Sequence, residues 1–118
     1  MPDQPDLLLL REKLRQFAEA RDWDQYHSPK NLTMALMVEV AELMEHFQWL
    51  TEAQSCDPAA IDKPAVADEL ADILLYLIRL SDRLEVDLLD AALHKMEKNA
   101  MKYPADKVRG SAKKYLEY

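Results

Sequence analysis

The sequence is poor in glycine and cysteine, with one Gly and one Cys among 118 residues. A single glycine, Gly110, leaves few positions for tight β-turns, whereas the abundant Leu, Ala, Glu, Lys and Met favour helices. The lone Cys56 cannot form an intramolecular disulfide, which fits a reducing compartment. We therefore predict an all-α protein of the cytoplasm.

A long apolar run and an excess of positive charge are also missing. The opening LLLLREKLRQF becomes charged too soon for a signal peptide or a membrane span, so we expect no membrane partner. The net charge of −7 argues against nonspecific nucleic-acid binding. Thirteen acidic and three basic residues lie within 39–90, whereas seven basic and two acidic residues lie within 94–114. This split is typical of two solvated faces, and the functional alternative is a metal-binding wall facing a phosphate-binding one.

The spacing of apolar residues predicts four amphipathic helices in one domain, residues 1–118. Asn31 is expected to cap the second helix, Pro64 to lie in the first turn of the third, and Pro104 to follow the fourth. We expect a four-helix bundle that associates into an oligomer, with a helical core over 6–103 and an irregular, basic tail over 104–118. The predicted helices span residues 6–21, 31–50, 64–84 and 87–103.

Two carboxylate pairs border the apolar stripes of the second and third helices. Glu39 and Glu42 lie in EVAE, and Glu69 and Asp72 lie in ELAD; three residues apart, each pair falls within about 60° on one helix face. One such pair is usually a solvated surface, but two facing pairs would repel each other unless a cation lay between them. Oxygen ligands favour Mg²⁺, with Mn²⁺ as a substitute. Glu45 is rotated further toward solvent.

A di-iron centre is a weak alternative for these acidic helices. Di-iron bundles use Glu-x-x-His, and none of His27, His46 and His94 has a glutamate three residues before it.

EVAE followed by ELAD, with 26 residues between them, resembles the ExxE…ExxD signature of the MazG-like all-α nucleotide pyrophosphohydrolases. Similarity to the dCTP pyrophosphatase branch of that family extends through RDWDQYHSPKNL, EVAELMEHFQW, ADELADILLYLIRL, VDLLDAALHKMEKNAMKYP and RGSAKKY. The resemblance implies a homodimer or homotetramer that uses Mg²⁺ to split dCTP, or a modified dCTP, into the monophosphate and pyrophosphate. It makes Glu39, Glu42, Glu69 and Asp72 the metal ligands, and we assign Glu42 as the base.

The same resemblance implies a set of substrate contacts. Lys95, Asn99 and Tyr103 are four residues apart and share one helix face, where the resemblance implies contacts with the phosphates; alone, they would read as ordinary surface residues. The tail supplies further expected donors, and aromatic residues are expected near the base, although a tryptophan is more often a core residue. The tail donors are Arg109, Ser111 and Lys114, and the expected base contacts are Trp23, His27, Trp49 and Tyr76.

The sequence departs from relatives of this family at two places. Leu14 stands where some relatives have a histidine, which predicts a looser base preference, and the connector between the acidic helices is shorter than in animal relatives. A nucleotide-binding helical module without hydrolytic activity is the alternative function. A structural helical-interaction protein is a third hypothesis.

Overall fold

The computed structural model describes residues 6–112, and in this range the regular structure is entirely helical. The predicted all-α class is therefore confirmed. Two short 3₁₀ turns, Asp24–Tyr26 and Pro58–Ala60, lie in the connectors. The helices are α1 Leu7–Ala20, α2 Pro29–Glu45, α3 Glu52–Ser55, α4 Lys63–Arg83, α5 Leu88–Lys102 and α6 Ala105–Val108.

Short polar side chains begin the four long helices. Asp6 accepts a hydrogen bond from the Leu9 amide at 2.8 Å, and Asp62 and Asp87 cap α4 and α5 in the same way. The predicted starts and ends of α1, α4 and α5 agree with the structure to within one residue.

Asn31 was the wrong cap for α2. Ser28 precedes Pro29, which disfavours the helical conformation at Ser28, and the serine Oγ accepts from the Asn31 amide at 3.1 Å. The Asn31 side chain instead donates from Nδ2 to the Tyr26 carbonyl oxygen at 3.0 Å. This bond ties the start of α2 to the preceding 3₁₀ turn.

The predicted ends and connectors differ from the structure at two further places. α2 ends at Glu45 rather than Leu50, because the amides of His46 and Phe47 bond three residues back, to Leu43 and Met44. The connector that follows is not wholly irregular, since Thr51 and Gln54 form a capping box that begins α3. The tail likewise contains one helical turn, α6, within the stretch predicted to be irregular.

α2 and α1 both pack against α4, which places α4 at the centre of this part of the chain. Ala18, Leu32 and Ile78 are buried, one from each of the three helices, and Arg79 is buried as well. The chain divides into two compact units, Met1–Val86 and Asp87–Tyr118, and α5 and α6 belong to the second. No helix in residues 6–112 combines the length and apolarity needed to cross a membrane.

Candidate functional site

Three carboxylates from α2 and α4 form a cluster. Glu39, Glu69 and Asp72 each place one oxygen within 4.8 Å of the others. The packing of α2 on α4 therefore brings Glu39 of one predicted pair to both members of the other pair, rather than all four carboxylates together. Glu42 lies outside this tight set but close enough to raise the pKa of Glu39, whereas Glu45 is exposed.

The cluster has the character of a cation site. One carboxylate oxygen of Glu39 and one of Glu69 are buried and form no hydrogen bond with any residue in 6–112. Burial, followed by the neighbouring carboxylates of Glu69, Glu42 and Asp72, raises the pKa of Glu39 from 4.5 to about 7. Glu39 and Glu69 are half-buried and Asp72 is exposed. Carboxylates that repel one another in a partly buried cluster are stabilised by a proton or by a cation, and an all-oxygen set fits a hard divalent ion.

A cavity of about 400 Å³ adjoins the cluster, within the size range of small-molecule sites. Glu39 and Asp72 line it together with Trp23, His27 and Tyr76, three of the residues expected near a nucleotide base. Carboxylates and aromatic side chains therefore share one cavity. The remaining lining residues are Lys13, Leu14, Phe17, Leu75 and Arg79.

Aromatic rings from α1 and the following turn form one side of this cavity. The Trp23 amide donates to the Ala18 carbonyl at 2.9 Å, which folds the chain back after α1. The ring of Trp23 meets Phe17 edge-on at 5.6 Å and His27 at 6.3 Å between ring centroids. Trp23 remains 43% exposed, so part of its surface is available to a ligand.

Arg79 is the residue of this site that sequence reasoning missed most clearly. Its Nε donates to Nδ1 of His27 at 3.1 Å, and its Nη2 forms an ion pair with Asp24. A signal for it was present, because Asp72, Tyr76 and Arg79 fall on one face of α4 at spacings of four and three residues. Lys13, Phe17 and Leu75 were also missed, and Leu14 was noted only as a departure from relatives.

The other predicted contacts stay predictions. Trp49 follows α2 and is 84% exposed, and it does not line the cavity described above. The second unit carries the proposed phosphate contacts: Lys95 and Asn99 on α5, Tyr103 at its end, and Arg109 and Ser111 at and after the end of α6. Lys114 lies outside the described residues.

Known proteins resemble this chain along most of its length. The sequence profile of the MazG-like family matches residues 34–117. The chain is 43% identical to dCTP pyrophosphatase 1 of Homo sapiens and 42% identical to dCTP pyrophosphatase 1 of Rattus norvegicus, in both cases over 97% of this chain and 68% of the relative.

A solved structure supports the same relationship. A pyrophosphatase from Archaeoglobus fulgidus superimposes with a TM-score of 0.80 at 39% identity, over 88% of this chain and 97% of that one. The chain is a hydrolase of the nucleoside triphosphate pyrophosphatase type, and it belongs to the MazG-like family.

Proposed function

We propose that the chain hydrolyses dCTP, or a 5-substituted dCTP, to the monophosphate and pyrophosphate in the presence of Mg²⁺. The observation that carries this proposal is the shared cavity, in which Trp23, His27 and Tyr76 lie beside the carboxylates of Glu39 and Asp72. A nucleotide combines a flat base with a phosphate chain that binds divalent cations, so both halves have a complementary surface here. The name of the relatives, dCTP pyrophosphatase 1, supports the choice of nucleotide.

The acidic cluster is the proposed holder of the metal. Glu39, Glu69 and Asp72, with Glu42 beside them, offer carboxylate oxygens, two of which are buried and have no hydrogen-bond partner among the described residues. Mg²⁺ bound there would neutralise phosphate charge and make a water more acidic, and Mn²⁺ would supply the same chemistry. In the proposed reaction Glu42 accepts the proton of a water that attacks the α-phosphorus, and the bond from that phosphorus to the bridging oxygen breaks to release pyrophosphate.

The base is proposed to lie against the aromatic side of the cavity. The exposed part of the Trp23 ring can stack on a pyrimidine, an interaction typically worth about 1 to 3 kcal/mol. Leu14 and Phe17 of α1, with Leu75 of α4, form an apolar surround that excludes water from the base. Trp49 is proposed as a further aromatic contact, supported by its large exposed surface.

Cationic and polar side chains of α5 and of the tail are the proposed phosphate contacts. Lys95, Asn99 and Tyr103 follow one another at four-residue spacing along α5 and its end. The excess of basic residues over 94–114 provides attraction for a polyphosphate that the acidic remainder of the chain does not. Arg109, Ser111 and Lys114 extend this set.

Replacing Lys95 by glutamine should raise KM for dCTP about tenfold, because one charge-assisted contact to phosphate is lost. Steady-state kinetics on purified protein measure this change. Lys63→Gln is the matched control, since Lys63 is an exposed lysine at the start of α4, and it should leave KM unchanged. Equal KM values for Lys95→Gln and wild type would remove Lys95 from the phosphate site.

A panel of canonical and 5-substituted triphosphates, each incubated with Mg²⁺, tests the activity itself. We expect monophosphate and pyrophosphate from dCTP or its 5-substituted forms, and loss of both products when the metal is chelated. Diphosphate and phosphate as products would place the attack at another phosphorus and would overturn the proposal. Binding without any product over hours would point to a nucleotide-binding module instead.

The proposed assembly is a homodimer or homotetramer in the cytoplasm. α2 and α4 expose large apolar side chains such as Met37, Met44 and Leu70, more than one compact monomer usually leaves in water. An exposed free thiol at Cys56 suits a reducing compartment. Light scattering on the purified protein measures the assembly, and a monomeric mass at working concentration would contradict it.

A further inference from the structure

Arg79 is a buried cation whose charge is balanced by two aspartates. Its side chain is 6% exposed, forms an ion pair with Asp24 through Nη2, and places Nη1 3.7 Å from Asp82. Asp82 is held in turn by Arg15, which donates to its two oxygens at 2.7 and 2.5 Å. The guanidinium is therefore held by Asp24 of the 3₁₀ turn and by Asp82 of α4, and Arg15 of α1 holds Asp82 in place. Breaking such a network costs more than an exposed pair would.

The Nε of Arg79 determines which nitrogen of His27 carries the proton. A guanidinium has only donors and keeps its charge, so the 3.1 Å contact requires Nδ1 of His27 to accept. In a neutral imidazole the proton then lies on Nε2. Burial, followed by the positive charge of Arg79, lowers the pKa of His27, which keeps the ring neutral near pH 7.

The His27 ring is also fixed in place by its backbone and by Trp23. The His27 amide donates to the Asp24 carbonyl at 3.2 Å, and the His27 carbonyl accepts from Nε of Arg83 at 3.2 Å. The Trp23 and His27 rings meet edge-on, with their centroids 6.3 Å apart. Nε2 forms no hydrogen bond within residues 6–86, and His27 lines the cavity.

We propose that Arg79 is a positioning residue that holds His27 as the Nε2–H tautomer, so that the cavity presents a fixed hydrogen-bond donor to an acceptor on the pyrimidine edge. This inference rests on the proposed function, because it requires the base to occupy this cavity. The available acceptors are the carbonyl at C2, which all pyrimidines share, and N3, which is an acceptor in cytosine but carries a proton in uracil and thymine. A donor that faces N3 would select cytosine.

The tautomer can be measured directly, without substrate. Protein labelled with ¹⁵N in its imidazoles, with His27 assigned by comparison with His27→Gln, should show a protonated Nε2 and an unprotonated Nδ1. Arg79→Met should convert this into a mixture of tautomers. Arg83→Met is the control for the tautomer, since within residues 6–112 Arg83 donates to the His27 carbonyl and not to the ring, and it should keep the wild-type pattern.

Two NMR results would overturn the inference. One is a wild-type His27 protonated on Nδ1, or on both nitrogens, near pH 7.5; the other is a folded Arg79→Met protein that retains the wild-type pattern. If Arg79→Met fails to fold, as shown by circular dichroism, the wild-type spectrum still decides, because the proposal fixes its tautomer.

Kinetics separate this inference from the proposed function. Arg79→Met should raise KM for dCTP about tenfold, the effect of one hydrogen bond, while kcat changes by less than about threefold. Lys63→Gln, which changes an exposed lysine at the start of α4, should change neither constant. An active wild type with unchanged constants in folded Arg79→Met would overturn the inference and leave the proposed function intact. A wild type that hydrolyses no triphosphate would overturn the function, and the spectrum would still report the tautomer.

Substrate analogues identify the acceptor. 3-deaza-dCTP lacks the N3 acceptor. If wild type has a KM for this analogue about tenfold above its KM for dCTP, while Arg79→Met has similar KM values for the two substrates, the bond is assigned to N3. Equal wild-type KM values for both substrates, with the Arg79→Met effect present on each, would assign it to the carbonyl at C2. A single KM value shared by both substrates and both proteins, so that neither the analogue nor the substitution changes it, would overturn the proposed donor.

Discussion

Glu39→Gln should abolish pyrophosphate release while leaving the helical content unchanged. One of its carboxylate oxygens lies within 4.8 Å of an oxygen of Glu69 and one of Asp72, and one of its oxygens is buried without a hydrogen-bond partner in the part of the chain that the structure describes. A neutral amide of nearly the same shape fills this space but binds Mg²⁺ weakly. We expect kcat/KM to fall by more than about a hundredfold, since even residues that only orient metal ligands cost about 10 to 100-fold when replaced.

The matched control is Glu45→Gln on the same helix. Glu45 is exposed at the end of α2 and is not one of the clustered residues, so its replacement removes one negative charge and leaves the cluster intact. Activity close to wild type in this variant shows that charge alone is not responsible. Full activity in Glu39→Gln, measured with Mg²⁺ and dCTP, would mean that the metal assignment is wrong.

The parts of the fold that follow from periodicity were predictable, and the helix ends less so. α1, α4 and α5 carry clear apolar stripes, and Pro64 and Pro104 mark the start of α4 and the end of α5, which is why their predicted bounds agree with the structure. α2 was misplaced at both ends. Its start depends on the Ser28–Pro29 pair rather than on Asn31, three residues later. Its end contains neither glycine nor proline to mark it.

In the site, too, residues placed by helix periodicity were predictable from the sequence, and residues placed by tertiary contacts were not. The acidic pairs were found because their three-residue spacing beside an apolar stripe already fixes the face on which they lie. Trp23 and His27 lie in a connector without periodicity, so only the family resemblance indicated them. Arg79 was missed because a charged residue in an apolar run shows no partner, and its partners Asp24 and His27 lie more than 50 residues away.

The metal-free protein should show a pH-dependent stability that originates at Glu39. Its pKa is about 7 in the folded protein and near 4.5 in the unfolded chain, so between these values the folded state binds more protons. This contribution to the free energy of unfolding is fully present below about pH 4.5 and is lost as the pH rises through about 7. Above that pH the ionised Glu39 faces Glu69, Glu42 and Asp72 without a counter-ion.

Comparison of wild type with Glu39→Gln separates the contribution of Glu39 to stability from the opposing contribution of His27. The pKa of His27 is lowered in the folded protein, so its contribution to stability increases as the pH rises toward about 6.5, in the same way in both proteins. The melting temperature of Glu39→Gln minus that of wild type should therefore increase between about pH 5 and pH 8, by a few degrees for a domain of this size. Glu45→Gln should give a difference that does not vary with pH.

Addition of Mg²⁺ near pH 8 should reverse the order of the two proteins. A cation that binds only the folded state raises the melting temperature, and the wild-type cluster binds it more tightly than the cluster with one amide. Melting curves of both proteins with and without Mg²⁺ measure the rise in melting temperature and the reversal of their order. A Glu39→Gln advantage that is independent of pH, or that persists unchanged in Mg²⁺, would show that carboxylate repulsion at this cluster is not what the cation relieves.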